Sequence, residues 1–161
     1  MAAVRTHYLD ASAIVKLFVD EENSEILRKY YNEHSTYSTT SLCFSEAIGV
    51  LKVKWLYRKE ITRDQYFAAM NDLMASFAYE SITIDEIEIK DRAVFKEVER
   101  LSECYDLDIS DAFQIYTLKT GFFSVLTGDS KPILITGDTK LAVATRQEGL
   151  KVWDCMKEPA P

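Results

Sequence analysis

Glycine and proline are scarce in this chain of 161 residues, with five and three copies respectively. It contains no Pro/Gly/Ser-rich linker, internal repeat or low-complexity tract that would divide it. Only the last residues, Glu158-Pro159-Ala160-Pro161, have the composition of a frayed end. The length is sufficient for one hydrophobic core. The sequence therefore predicts a single domain over residues 1–156 and a flexible C-terminal tail over residues 157–161.

Cysteine and histidine are also few. The three cysteines are far apart and lack Cys-x-x-Cys spacing: Cys43, Cys104 and Cys155. This pattern predicts buried free thiols rather than disulfides or a zinc site. The two histidines, His7 and His34, fall in a predicted strand and a predicted loop, and we assign neither of them to catalysis.

Long apolar runs are absent, and basic charge is in deficit. No stretch approaches the roughly 18 apolar residues of a membrane span, and the N-terminus lacks a signal-peptide pattern. We therefore expect a cytoplasmic protein with no membrane partner. The chain has 19 Lys and Arg against 26 Asp and Glu, a net charge of −7. This balance argues against a broad electrostatic grip on nucleic acid, but it leaves open a nucleic-acid enzyme whose acidic residues hold metal.

Short β-prone segments alternate with amphipathic helices along the whole chain. Strands are predicted up to Leu9 and over residues 36–39, 81–84, 133–136 and 151–153. Residues 122–127 are also β-like, and beyond them lie the turn residues 128–132. The first of these two segments forms either a hairpin with 133–136 or a loop. The alternation predicts an α/β sandwich with a mostly parallel sheet.

Capping residues indicate where the helices begin. Thr62 with Gln65 forms a capping box, and Thr40 or Ser41 can cap the helix before it. Asp85 is expected to cap a helix that runs to about Cys104. Further helices are predicted to begin near Asp108 and at Asp138.

Four acidic residues stand out from this background. Asp10 directly follows the first strand, and Asp138 follows the strand 133–136 through a single glycine. Asp111 lies in the first turn of the helix near Asp108. Glu46 is the only charged residue between Thr39 and Lys52, where an unpaired carboxylate would be costly to bury.

A purely structural role is available for three of these acids. Aspartate is a favoured N-cap and suits the positive end of a helix dipole, which accounts for Asp10 and Asp138 as well as it does for Asp111. Glu46 has no such explanation. In a parallel sheet the strand ends and nearby helix starts converge on one edge, where several carboxylates repel one another unless some are protonated or a cation holds them. Oxygen-only ligands favour Mg²⁺ or Mn²⁺, which is chemistry suited to phosphodiester hydrolysis.

The segments around these acids resemble the PIN-domain ribonucleases, and most closely the VapC-type toxins of toxin–antitoxin pairs. The likeness spans nearly the whole chain, with the acids in the family's order. It rests on Tyr8-Leu9-Asp10-Ala11-Ser12-Ala13, Ser45-Glu46, Asp108-Ile109-Ser110-Asp111-Ala112-Phe113 and Ile135-Thr136-Gly137-Asp138-Thr139-Lys140-Leu141.

This resemblance implies a three-layer α/β/α fold and a Mg²⁺- or Mn²⁺-dependent endoribonuclease. It further implies an RNA substrate, a cognate antitoxin protein and a homodimer. Its catalytic and metal-binding residues would be Asp10, Glu46, Asp111 and Asp138. Ser12 and Thr136 match auxiliary hydroxyl positions near the metal. Asp108 is either an additional ligand or a helix cap.

Two features depart from the family pattern. The segment from Gly121 to Ile133 is longer than expected, and its Leu126-Thr127-Gly128-Asp129 mimics the motif that ends in Asp138. We favour Asp138, because a helical segment follows it whereas Pro132 closes the segment of Asp129. The acidic net charge is the second departure. A basic cluster could offset it, formed by Lys52, Lys54, Arg58 and Lys59, although such a cluster is also typical of a solvated helix face.

Other functions remain open at this point. A catalytically silent PIN-fold module that binds RNA or protein is the main alternative, but a degenerate site need not keep all four acids. A haloacid dehalogenase-type phosphatase requires a second aspartate where Ser12 stands. A two-component receiver domain requires paired acids after the first strand, which this chain lacks.

Overall fold

A parallel five-stranded sheet forms the centre of the molecule. The computed structural model describes residues 5–161, so the first four residues of the predicted domain 1–156 lie outside the described residues. The strands are β1 (His7–Leu9), β2 (Tyr37–Thr39), β3 (Ile82–Ile84), β4 (Ile133–Thr136) and β5 (Lys151–Asp154). Their order is β3-β2-β1-β4-β5, and every pairing between them is parallel. The predicted strand positions and sheet type are confirmed.

Among residues 5–161, seven α-helices connect and flank these strands. They are α1 (Ala11–Phe18), α2 (Ser24–Glu33), α3 (Ser41–Leu56), α4 (Arg63–Ala78), α5 (Arg92–Tyr105), α6 (Ile109–Thr120) and α7 (Thr139–Gln147). The predicted capping box of Thr62 and Gln65 is present at the start of α4. Thr40, rather than Ser41, caps α3. No helix within residues 5–161 is both long and apolar enough to cross a membrane.

Successive side chains of the central strands point to opposite faces of the sheet and contribute to two hydrophobic cores. Leu9 and Ile135 point into a core shared with α1 to α4, whereas Tyr8 and Leu134 point into a core shared with α5 to α7. Successive residues of a strand face opposite sides of the sheet, so a strand covered on both faces has apolar residues throughout. This arrangement confirms the three-layer α/β/α architecture.

One open alternative is resolved, and one local prediction is wrong. Residues 122–127 form the loop alternative and not a hairpin strand: Phe122–Val125 and Gly128–Ser130 are single 3₁₀ turns. The prediction that Asp85 caps a helix is wrong, because α5 begins only at Arg92 with Asp91 as its cap. Both outcomes have one cause. The largely buried Asp85 carboxylate accepts the Phe122 N–H at 3.1 Å and the Tyr8 hydroxyl, which draws the start of the 122–132 segment toward the sheet.

The cysteines are free thiols, and part of the predicted tail contacts the fold. All three cysteines are free, as predicted, but Cys104 is exposed while Cys43 and Cys155 are buried. Within the predicted tail, the Glu158 carbonyl accepts the Trp153 indole N–H at 3.1 Å. The flexibility of residues 157–161 stays a prediction.

Candidate active site

The candidate site lies at the carboxyl ends of β1 and β4. The chain leaves β1 toward β2 on one side of the sheet, and β4 pairs with β1 on the other side. Open α/β sheets bind their ligands where the strand order reverses in this way. Asp10 follows β1 directly, and Asp138 follows β4 after Gly137. Sheet topology therefore brings together two acids that are separated by most of the chain.

Asp10 is almost fully buried, with 3% of its surface exposed. Its carboxylate accepts hydrogen bonds from the Ser12 hydroxyl at 2.8 Å, the Thr136 hydroxyl at 2.6 Å and the Ala13 N–H at 2.8 Å. Burial raises the pKa of Asp10 to about 6, even though these hydrogen bonds favour the charged form. Both hydroxyl residues that the sequence placed near the site thus contact the same carboxylate.

A chain of hydrogen bonds links Asp10 to the turn that carries Asp138. The Thr136 hydroxyl accepts the Asp138 N–H at 2.8 Å, and the Ser12 hydroxyl accepts the Gly137 N–H at 2.7 Å. Oδ1 of Asp138 caps α7 by accepting two backbone N–H groups of its first turn. The capping role proposed for Asp138 is therefore present, and so is its proximity to Asp10.

Asp111 shows that the acids are close together. Burial is the largest influence on its pKa, which is raised to about 8. The remaining contributions all come from neighbouring negative charges, in descending order Asp108, Asp10, Asp138 and Glu46. Four carboxylates on four different segments are thus near enough to Asp111 to oppose its ionisation. Asp111 therefore lies within range of the charge of every other acid that the sequence selected.

Ser110 contacts both Glu46 and Asp108, and the sequence alone predicts no role for this residue. Its hydroxyl lies 2.5 Å from a carboxylate oxygen of Glu46 and 2.8 Å from one of Asp108. Asp108 also caps α6 by accepting the Asp111 N–H at 2.9 Å. The only signal for Ser110 in the sequence was its position between the two aspartates, which does not reveal a contact with a distant helix.

A known domain family and a solved structure are similar to this chain. Residues 7–144 match the PIN domain. The chain belongs to the PIN domain family. The crystal structure of PAE2754 from Pyrobaculum aerophilum has a similar fold, with a TM-score of 0.57 and 19% sequence identity over 92% of this chain and 91% of that chain. No curated protein sequence matches the chain.

Membership of the PIN domain family places the chain among proteins that are generally nucleases. PIN domain nucleases generally use divalent metal ions. Within residues 5–161, no three His, Cys, Asp or Glu side chains stand as a ready-made metal cluster. The donor set nevertheless fits a hard cation, because it consists only of oxygen atoms. A cation would also relieve the repulsion that, after burial, raises the pKa of Asp111.

The similar motif Leu126-Thr127-Gly128-Asp129 lies away from the candidate site in this PIN domain. Asp129 lies in the 3₁₀ turn Gly128–Ser130 that precedes β4, and its carbonyl accepts the Arg5 guanidinium at 2.9 Å. Asp138 follows the other end of the same strand. Of the two matching motifs, only the one ending in Asp138 lies at the carboxyl edge of the sheet.

The predicted basic cluster is only partly available to a ligand. Lys54 is 9% exposed, and its ammonium contacts Glu21 at 2.5 Å and Glu60 at 2.6 Å. It is therefore engaged within the fold, while Lys52, Arg58 and Lys59 remain on or near the surface. His7 is buried, and its ring contacts the Tyr30 hydroxyl at 3.1 Å as a packed residue of β1.

Proposed function

We propose that this PIN domain is a Mg²⁺- or Mn²⁺-dependent endoribonuclease of the cytoplasm. The observation that carries the proposal is that Asp10 and Asp138 follow neighbouring strands at the carboxyl edge of the sheet, where the Thr136 hydroxyl donates to Asp10 and accepts the Asp138 N–H. Membership of a family that consists generally of nucleases supports it. The main alternative is a catalytically silent module. It would have no bound cation to offset the mutual repulsion of the four carboxylates.

The cation-binding residues would be Asp10, Glu46, Asp111 and Asp138, with Asp108 as a possible auxiliary ligand. A divalent cation held by these residues would supply hydroxide from water at neutral pH and would neutralise charge that develops on the phosphate. Water would be the nucleophile of an in-line attack on the phosphodiester, so no side-chain nucleophile is needed. Hydrolysis would leave 3′-hydroxyl and 5′-phosphate ends.

The hydroxyl residues would orient the carboxylates. Ser12 donates to Oδ1 of Asp10 and Thr136 donates to Oδ2, and together they fix the orientation of that carboxylate. The Ser110 hydroxyl lies between Glu46 and Asp108, and its single proton serves one of these two carboxylates at a time. Groups held in place before the reaction lower the cost of reorganisation in the transition state.

A test of the proposed activity compares cleavage of a structured and a single-stranded RNA with Mg²⁺, with Mn²⁺ and with EDTA. We expect cleavage only with metal, and a loss of more than about 100-fold in Asp10→Asn, because removal of a ligand should cost at least as much as removal of an outer-shell partner. Undiminished cleavage in EDTA or in this variant would refute the metal-dependent mechanism.

The biological role that we propose is that of the toxin in a toxin–antitoxin pair, acting as a homodimer inhibited by a small antitoxin protein. The support is the likeness of the four acidic motifs to the VapC-type pattern. A small open reading frame beside the gene, whose product co-purifies with the chain and suppresses RNA cleavage, is the expected result. An isolated gene and a chain that is harmless on expression would contradict the toxin role.

A further inference from the structure

Three fully buried polar groups form a hydrogen-bonded link beneath the acids. The Cys43 thiol donates to Oε1 of Gln114 at 3.2 Å, and Nε2 of Gln114 donates to the Leu9 carbonyl at 3.4 Å. Neither Cys43 nor Gln114 has any exposed surface. The opposite orientation of the Gln114 amide would place its oxygen against the Leu9 carbonyl, which is unfavourable because both groups are acceptors.

Each end of this link lies next to a proposed metal ligand. Cys43 precedes Glu46 by three residues in α3, and Gln114 follows Asp111 by three residues in α6. Residues at this spacing share one face of a helix. Leu9 directly precedes Asp10. The Gln114 side chain therefore connects the three segments that carry Asp10, Glu46 and Asp111.

The Leu9 carbonyl has a second side-chain partner. The Thr39 hydroxyl of β2 donates to it at 2.6 Å, and the paired residues of β1 and β2 end one position earlier, at Tyr8 and Ser38. The Leu9 carbonyl thus accepts hydrogen bonds from side chains at the point where the pairing of β1 with β2 ends. At this point the chain also continues to Asp10 at the carboxyl edge of the sheet.

A glutamine amide at this depth requires an explanation. Burial of an amide costs free energy unless both of its ends are hydrogen-bonded, and an apolar side chain of the same size would pack without that cost. Thr117, one helical turn further along α6, is also fully buried, but its hydroxyl satisfies the Phe113 carbonyl within the same helix. Gln114 differs because both of its partners lie on other segments.

We propose that Gln114 is a positioning residue for the metal site, setting the separation of β1, α3 and α6 and thereby of Asp10, Glu46 and Asp111. The inference rests on the proposed function, since it concerns the same cation. Outer-shell partners of metal ligands commonly change metal affinity by about 10- to 100-fold. Gln114 would act one step further from the metal, through the backbone that carries the ligands, so the lower end of that range is expected.

The experiment measures Mn²⁺ binding by calorimetry on the full chain, together with RNA cleavage and thermal unfolding. Gln114→Met keeps the length of the side chain and removes both hydrogen bonds. It is expected to weaken Mn²⁺ binding about 10-fold and to lower kcat, leaving KM for RNA unchanged. The matched control Thr117→Val removes a buried hydroxyl from the same helix and should leave the Mn²⁺ affinity within about 2-fold of wild type.

A second variant keeps the test decisive if Gln114→Met does not fold. Cys43→Ala breaks only the α3 end of the link and should weaken Mn²⁺ binding in the same direction, whereas unchanged affinity would overturn the proposal. Equal Mn²⁺ affinity in wild type and Gln114→Met, or equal losses in Gln114→Met and Thr117→Val, would overturn it as well. A wild-type chain that binds no Mn²⁺ would instead overturn the proposed function, and this inference with it.

Discussion

At the scale of single residues, capping and metal binding are compatible roles. Asp10, Asp108 and Asp138 each cap the helix that follows, through a side-chain oxygen that accepts a backbone N–H. The cap fixes the direction of the carboxylate at the carboxyl edge of the sheet. A residue that stabilises a helix start therefore also presents a carboxylate there in a defined orientation.

The two matching motifs allow a paired substitution. Asp138→Asn should reduce RNA cleavage by more than about 100-fold, because it removes a proposed ligand charge. Its effect on stability should stay within about 0.5 kcal/mol, because asparagine is also a good N-cap. Asp129→Asn changes the same chemistry at the opposite end of β4 and should cleave RNA at the wild-type rate. A reversal of these two activities would show that the other motif supplies the ligand.

Gly137 packs closely against Lys16 and Ser12, and Ser12 is one of the residues that hold Asp10. A Cβ at this position would lie 3.0 Å from the Lys16 side chain and 3.2 Å from the Ser12 hydroxyl. Gly137→Ala should therefore destabilise the fold by about 1 to 3 kcal/mol and reduce RNA cleavage by displacing Ser12. Thermal unfolding and cleavage rates measure the two effects.

Gly49 provides the control for that substitution. It lies inside α3, and a Cβ there would meet nothing within 4 Å. Gly49→Ala should raise stability by about 0.5 to 1 kcal/mol, because alanine favours the helix, with RNA cleavage unchanged. Equal effects of the two substitutions on unfolding would argue against crowding at Gly137.

At the scale of elements, the helix starts were the most predictable features. Thr62, Asp108 and Asp138 were each identified from the sequence as a cap, and each caps a helix in the structure. Capping joins residues two or three positions apart, which sequence patterns capture well. The start of α5 was misplaced because the Asp85 carboxylate bonds to Phe122, which lies 37 positions away. A local pattern cannot reveal such a partner.

Glu148 ties together the three helices on one face of the sheet. It follows the last residue of α7 and accepts hydrogen bonds from Lys119 of α6 and from Arg100 and Tyr105 of α5. Burial alone would raise the pKa of Glu148, but these hydrogen bonds outweigh burial and lower the pKa to about 2. The charged form of Glu148 is therefore favoured by folding.

This ion-pair cluster predicts a pH-dependent contribution to stability. A carboxylate whose pKa is lower in the folded state stabilises the fold above its unfolded pKa of about 4.3, and this contribution is lost as the pH falls toward about 2. Glu148→Gln should cost about 1 to 2 kcal/mol at pH 7, allowing for solvent screening around the half-exposed Arg100.

The measurement is chemical unfolding of wild type and Glu148→Gln between pH 7 and pH 2.5. The difference between the two should shrink steadily below about pH 4.3. Glu103, exposed on α5 and in no ion pair among residues 5–161, serves as the control through Glu103→Gln. A difference that stays constant with pH would contradict an electrostatic origin.

At the scale of the whole molecule, charge is distributed unevenly. The chain carries a net charge of −7, five carboxylates gather at one edge of the sheet, and the buried Lys54 is engaged by glutamates. The acidic edge is unfavourable for the folded state in the absence of a cation, because like charges repel at short range. The fold should therefore gain stability from a bound divalent cation.

Mn²⁺ is expected to raise the unfolding temperature of the wild-type chain. A ligand that binds only the folded state stabilises it by about 2.7 kcal/mol at 100 times its Kd. The double variant Asp10→Asn/Asp138→Asn should show little of this shift. Thermal unfolding in NaCl of matched ionic strength separates site binding from general screening, and an equal shift in NaCl would count against a specific site.

The site was predictable to the extent that it follows from topology. Asp10 and Asp138 were inferred to meet because each follows a strand of a parallel sheet, and in the structure the two strands that they follow are neighbours. Ser110 and Gln114 were not inferred. Their partners, Glu46 and Leu9, lie 64 and 105 positions away, and neither residue type marks such a contact. Packing of α6 against α3 and against the end of β1 decides these contacts, and a single sequence does not specify it.

The central claim is that Asp10, Glu46, Asp111 and Asp138 hold a divalent cation. Its most direct test is an anomalous difference map from crystals of the wild-type chain grown or soaked with Mn²⁺. The account predicts a peak within about 2.0 to 2.6 Å of carboxylate oxygens from at least two of these residues. A map with no peak at this edge of the sheet, or with a peak only at other acidic residues, would contradict it.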